Sequence, residues 1–71
     1  MERFNDKNLT KREIEILELV ASGFSNQIIA AKINVSVHTV KSHLESIYRK
    51  FEVHNKIQAL VYAITNSVIK L

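Results

Sequence analysis

A chain turns sharply only where its backbone is released, and this one has few such places: its 71 residues include no proline and a single glycine, Gly23. Helices in such a chain have to be ended and restarted by short polar residues, because the usual breakers are missing. Thr10, Ser25, Ser36 and Asn55 can each cap a helix N-terminus. Each precedes a run whose apolar residues recur at helical spacing. With 46% hydrophobic residues, the expected fold is all-α, a compact four-helix bundle joined by very short turns.

The first helix begins at "LTKRE". Thr10 caps it, and Glu13, three residues on, can reach back to the Thr10 amide to complete a capping box. That accounts for a carboxylate on the side of the helix that carries Ile14, Ile16, Leu17, Val20 and Ala21. Gly23 then ends the helix in a left-handed conformation free of Cβ strain. The second helix follows Ser25 and runs through "NQIIAAKI", with Ile29 and Ile33 four apart on one face. In "NVS", Asn34 is suited to a left-handed turn and Ser36 to capping the next helix. Helix, three-residue turn and helix together have the size of a helix-turn-helix.

The third helix is expected over residues 37–51. Val40, Leu44, Ile47 and Phe51 fall within about 60° of one another on a helical wheel and form one apolar seam. On the opposite side, from about 100° to 240°, lie Lys41, Glu45, His38, Arg49, Ser42 and Ser46, none of which packing requires. Lys50 and His43 flank the seam, and His43 reads as a half-buried packing residue. The fourth helix starts near Asn55 and is expected through "KIQALVYAITNSVI". Ile57, Leu60, Val61, Ile64 and Val68 form the stripe expected to close the core. The second, narrower face of Ala59, Tyr62, Ala63, Asn66 and Ile69 is left for self-association, since small residues let another helix approach closely.

Charge is unevenly placed. Four basic residues accompany five acidic ones in residues 1–24, whereas six accompany two in residues 25–71. A basic partner surface belongs in the second part. No run approaches the ~20 apolar residues of a membrane span, and the N-terminus lacks a signal-peptide core; the expected location is the cytosol. Without cysteine there is no disulfide framework or thiolate metal site. His38, His43 and His54 are too scattered around the helices to share a zinc ion. No phosphate loop and no nucleophile paired with a base is present, so neither an enzyme nor a cofactor is expected.

The ordered series "LTKREIEIL", "GFSNQIIA", "VSVHTVKSH" and "IYRKFEV" resembles the LuxR/FixJ (NarL-type) helix-turn-helix family, and the size is similar to its small stand-alone, GerE-like members. The resemblance runs from Leu9 to Val53 and continues through the last helix. It divides the chain into an N-terminal arm or linker remnant, residues 1–8, and a DNA-binding domain, residues 9–71. It implies a bacterial transcription regulator that binds double-stranded DNA at a promoter or operator, as an output domain of a response regulator does. The recognition helix 37–51 would lie in the major groove. By position, Lys41, Ser42, Glu45 and His38 would meet base edges. Ser25, Asn26, Lys32, Thr39, Arg49, Lys50, His54 and Lys56 would meet phosphates. A homodimer through the fourth helix, with Tyr62 and its neighbours as the face, and RNA polymerase are the implied protein partners.

Four residues depart from the family pattern. Glu45 stands where neutral or basic residues are frequent, Ile28 where glutamate is common, Glu52 where glycine is frequent, and Lys56 in place of an arginine. They bear on the target sequence more than on the activity class. Glu45, Ile28 and Tyr62 together also motivate an alternative: a protein-interaction or dimerisation module that has lost DNA recognition.

Overall fold

The computed structural model describes residues 9–70, so the arm assigned to residues 1–8 lies outside the described residues. Four helices follow one another: α1 (Lys11–Ala21), α2 (Asn26–Ile33), α3 (Val37–Phe51) and α4 (Lys56–Thr65). All four expected caps are in place. The side chains of Thr10, Ser25, Ser36 and Asn55 accept from the amides of Glu13, Ile28, Thr39 and Gln58, respectively. At α1 the Glu13 carboxylate also accepts from the Thr10 amide at 3.0 Å, which completes the capping box.

The four C-termini share one device. A residue one or two positions past each helix is left-handed: Gly23 (φ 94°), Asn34 (61°), Glu52 (59°) and Ser67 (59°). The next amide reaches back across the turn, from Phe24 to Leu19, Val35 to Ala30, Val53 to Tyr48 and Val68 to Ala63. These are Schellman closures, which satisfy terminal carbonyls and set an apolar residue against the helix they close. Phe24, Val35, Val53 and Val68 are those apolar residues, and each packs against the core. After Phe24, Val35 and Val53 the next cap begins one or two residues later, so the turns stay short.

Left-handed backbone costs a non-glycine residue about 1–2 kcal/mol, and Glu52 has no asparagine amide to offset it. Glu52→Gly is expected to stabilise the domain by about 0.5–1 kcal/mol, after allowance for the greater freedom of glycine in the unfolded chain. Thermal unfolding checks this as a rise in Tm of roughly 3–6 °C.

The core is built where the first three helices meet: Ile16, Leu17 and Val20 from α1, Ile29, Ala30 and Ile33 from α2, and Val40, Leu44, Ile47 and Phe51 from α3. The expected α3 seam is buried throughout. The fourth helix corrects the sequence-based expectation. Its inward face carries Ala59 and Ala63, which are 1% and 0% exposed, while Ile57, Val61 and Ile64 are 73%, 58% and 38% exposed. Both faces of α4 are apolar, so periodicity identifies two stripes without ranking them. The small residues allow α4 to lie close against α1 and α3, and the Tyr62 ring stacks on Phe51 with centroids 4.3 Å apart. The helix also ends sooner than the expected run to Ile69. It closes at Thr65, Ser67 turns the chain, and Ile69 folds back into the core at 4% exposure.

Candidate nucleic-acid interface

The second and third helices and the turn between them form the helix-turn-helix. Asn34 supplies the left-handed turn, Val35 packs against the core, and Ser36 starts α3 in an extended conformation. The Ser36 hydroxyl accepts from the Thr39 amide at 3.0 Å and donates to the Thr39 hydroxyl at 3.0 Å. The first turn of α3 is therefore fixed on its own backbone, and its direction is fixed by the seam beneath. Val40 and Ile47 are fully buried and Leu44 and Phe51 nearly so. A helix held in this way presents its opposite face as a rigid surface.

That face contains His38, Lys41, Ser42, Glu45 and Arg49, all exposed. Four of them are the candidate base readers and Arg49 is a candidate phosphate contact, so α3 brings them together as the wheel implies. His43 is half-buried beside the seam, as expected. Tyr48, three residues beyond Glu45, has its phenol raised above its ordinary value of 10.0 by burial and by the Glu45 charge.

The remaining phosphate candidates separate into groups. Ser25 is exposed at the α2 cap, where its oxygen accepts from the Ile28 amide at 3.2 Å, leaving its own O–H to donate. Asn26 begins α2 and Lys56 begins α4. The Lys56 ammonium donates to the Asn26 side-chain oxygen at 3.0 Å, so these two candidates are tied together and the Asn26 amide donors are left over. Lys32 is exposed and its ammonium sits 4.6 Å from the Phe24 ring centroid, a cation–π contact that orients it over the α1–α2 turn. Thr39 is half-buried within the Ser36 cap. His54 is exposed at the start of the last turn.

Lys50, the remaining phosphate candidate, is engaged within the domain. Its ammonium lies 2.8 Å from Glu13, whose side chain is only 4% exposed. Burial raises the Glu13 carboxyl, but hydrogen bonds from Lys50, the Thr10 amide and Ser46, with the Lys50 charge, outweigh it and hold the group below its ordinary 4.5. The pair ties the start of α1 to the last turn of α3. Both halves of the pair are visible in the sequence, as a capping glutamate on the apolar side of α1 and a lysine flanking the α3 seam. Only the tertiary fold brings residues 37 positions apart into contact.

The expected dimer face is likewise rearranged. Ala59, Ala63 and Ile69 are in the core, Tyr62 is half-buried against Phe51, and Asn66 is exposed, its side chain donating to the Tyr62 carbonyl. The open side of α4 is instead the Ile57, Val61 and Ile64 stripe. Beside it an open groove of ≈ 560 Å³ is lined by residues that include Val53, Ile57, Val61 and Tyr62. Ile28, without a core role in the sequence, is 47% exposed on α2. No helix among the described residues is long and apolar enough to cross a membrane.

Residues 7–63 match the family profile of bacterial regulatory proteins of the luxR family, also called GerE. The chain belongs to the LuxR family. It is a LuxR-type helix-turn-helix DNA-binding domain of a transcription regulator and not an enzyme. Among its relatives, the response regulator protein VraR of Staphylococcus aureus (strain NCTC 8325 / PS 47) is 45% identical over 62 residues, which cover 87% of this chain and 30% of VraR. VraR of Staphylococcus saprophyticus gives the same figures. The crystal structure of the response regulator ChrA, from a heme-sensing two component system, superposes with a TM-score of 0.84 at 40% identity, covering 97% of this chain and 33% of ChrA. This LuxR-family chain thus spans about a third of the length of the relatives it matches.

Proposed function

We propose that this LuxR-family domain binds promoter or operator DNA with α3 in the major groove. The observation that carries the proposal is the exposed polar face of α3, seated on a fully buried seam and started by a closed cap. His38, Lys41, Ser42 and Glu45 are the proposed base-edge residues. Arg49, Lys32, His54 and the Ser25, Asn26, Lys56 and Thr39 groups at helix starts would bracket the phosphates, where free amides already favour an anion. Lys50 contributes through Glu13, by holding α3 in place. Residues 9–71 are the proposed DNA-binding unit, with residues 1–8 as an arm or linker. The proposed location is the bacterial cytoplasm, at the nucleoid, with RNA polymerase as a further partner.

A homodimer through α4 is part of the same proposal, with the face moved from the alanines to Ile57, Val61 and Ile64. An aliphatic stripe this exposed on so small a domain is a surface for another protein, and two-fold pairing would place the α3 helices on half-sites roughly one helical turn apart.

Binding to duplex DNA across a salt series tests the docking. Lys41→Ala is expected to lower specific affinity by roughly 1–3 kcal/mol and to broaden the range of bound sequences. Arg49→Ala should weaken all sequences alike and reduce the slope of log K against log salt by about one. If Lys41→Ala left both affinity and sequence preference intact, the docking face would be wrong. No binding to any duplex at low salt, with a stable complex to another protein, would favour the interaction-module alternative.

A further inference from the structure

We infer that Glu45 selects a cytosine in the bound sequence and is the residue that most narrows this protein's choice of site. The inference rests on α3 lying in the major groove. Glu45 is the one acidic residue between residues 37 and 51. Lys41 stands one turn before it and Arg49 one turn after, the spacing at which ion pairs form along a helix. Yet among the described residues the Glu45 carboxylate takes part in no ion pair and no hydrogen bond, and it stands exposed on the face opposite the buried seam. Both carboxylate oxygens are open acceptors.

An open carboxylate is a discriminating group in a DNA groove. It is repelled by every phosphate and by every acceptor on a base edge, so it is tolerated only opposite a donor. The major-groove edge of guanine offers two acceptors and that of thymine an acceptor and a methyl group. Adenine offers a donor at N6, but with the N7 acceptor beside it. Cytosine offers the N4 donor without an adjacent acceptor on the same base, and it is the natural partner of a carboxylate. The flanking Lys41 and Arg49 reduce the phosphate repulsion and leave the carboxylate's acceptor character in place. The exclusion of three bases at one position therefore comes from a single side chain, while the basic residues around it supply affinity.

Selection of bound sequences from a random duplex library, run in parallel on the unaltered chain and on its Glu45→Ala and Glu45→Gln variants, tests this. Glu45 is exposed, so both variants keep the fold. The unaltered chain should enrich a cytosine at one position of each half-site, preferred over the other bases by about tenfold. Glu45→Ala should flatten that position alone and bind random duplex more tightly. Glu45→Gln should move the preference to adenine, whose N6 and N7 suit an amide. Binding with the same base distribution in all three proteins would overturn the assignment of Glu45 and leave the DNA-binding reading standing. Failure of all three to bind any duplex at low salt would overturn the docking reading itself, and the inference with it.

Discussion

Ala63→Glu is expected to unfold the domain, while Val61→Glu, two residues earlier on the same helix, leaves it folded. Ala63 is fully buried where α4 lies against the rest of the bundle, and Val61 is 58% exposed on the other side. A carboxylate at position 63 would be both oversized and unpaired in the core, at a cost of about 4 kcal/mol or more. At roughly 0.05–0.15 kcal/mol per residue, a domain of this length has only about 4–10 kcal/mol of stability. Circular dichroism would show loss of the cooperative thermal transition for Ala63→Glu and a transition close to the parent for Val61→Glu. If only Val61→Glu unfolded, α4 would face the core with its Ile57 side. The folded Val61→Glu protein then tests the dimer: a like-charged pair at the two-fold face should weaken binding to a duplex with two half-sites on the order of tenfold, with single half-sites unaffected.

The contrast between those positions marks where the fold stops being legible in the sequence. The first three helices can be read from caps and seams, because Thr10, Ser25 and Ser36 are chemically suited to start helices and each following run has one clearly apolar side. Asn34 and Gly23 are the residue types that left-handed turns favour. Glu52 and Ser67 occupy the same conformation without that signature, and only the neighbouring Schellman hydrogen bonds reveal why the chain accepts the cost. In α4 the difficulty is different. Its two sides are both apolar, and hydrophobicity favours the larger side chains, whereas close helix packing favours the smaller ones. The decision depends on the shape left by α1 and α3, which no local pattern contains.

The site divides in the same way. His38, Lys41, Ser42, Glu45 and Arg49 could be collected on one face from the helical period, because a single straight helix carries them all. The link between Asn26 and Lys56 and the pairing of Lys50 with Glu13 each join distant segments, so side-chain type alone could not separate a phosphate-binding lysine from a structural one. Lys50 and Arg49 are adjacent in sequence, yet 100° of helix rotation sends one toward α1 and leaves the other on the open face.

Lys50→Met is expected to lower stability by about 2–3 kcal/mol at pH 7 without changing the exposed face of α3. The value sits toward the lower end for breaking a buried ion pair, because Lys50 itself is 30% exposed and part of its interaction is screened. The loss arises chiefly from Glu13, which keeps its Thr10 and Ser46 hydrogen bonds but no longer has a cation beside a nearly buried charge. The pH dependence separates this from simple loss of packing. In the parent chain the Glu13 carboxyl is held below 4.5, so its contribution is complete above the unfolded value and disappears as pH falls through the lowered folded one. The stability gap between parent and Lys50→Met should therefore be widest near neutrality and close as pH falls through the lowered folded value of Glu13. Urea unfolding of both proteins between pH 7 and pH 3 measures that gap directly. A constant gap across the range would show that the methionine acts through packing, and that the tie between α1 and the last turn of α3 is not electrostatic.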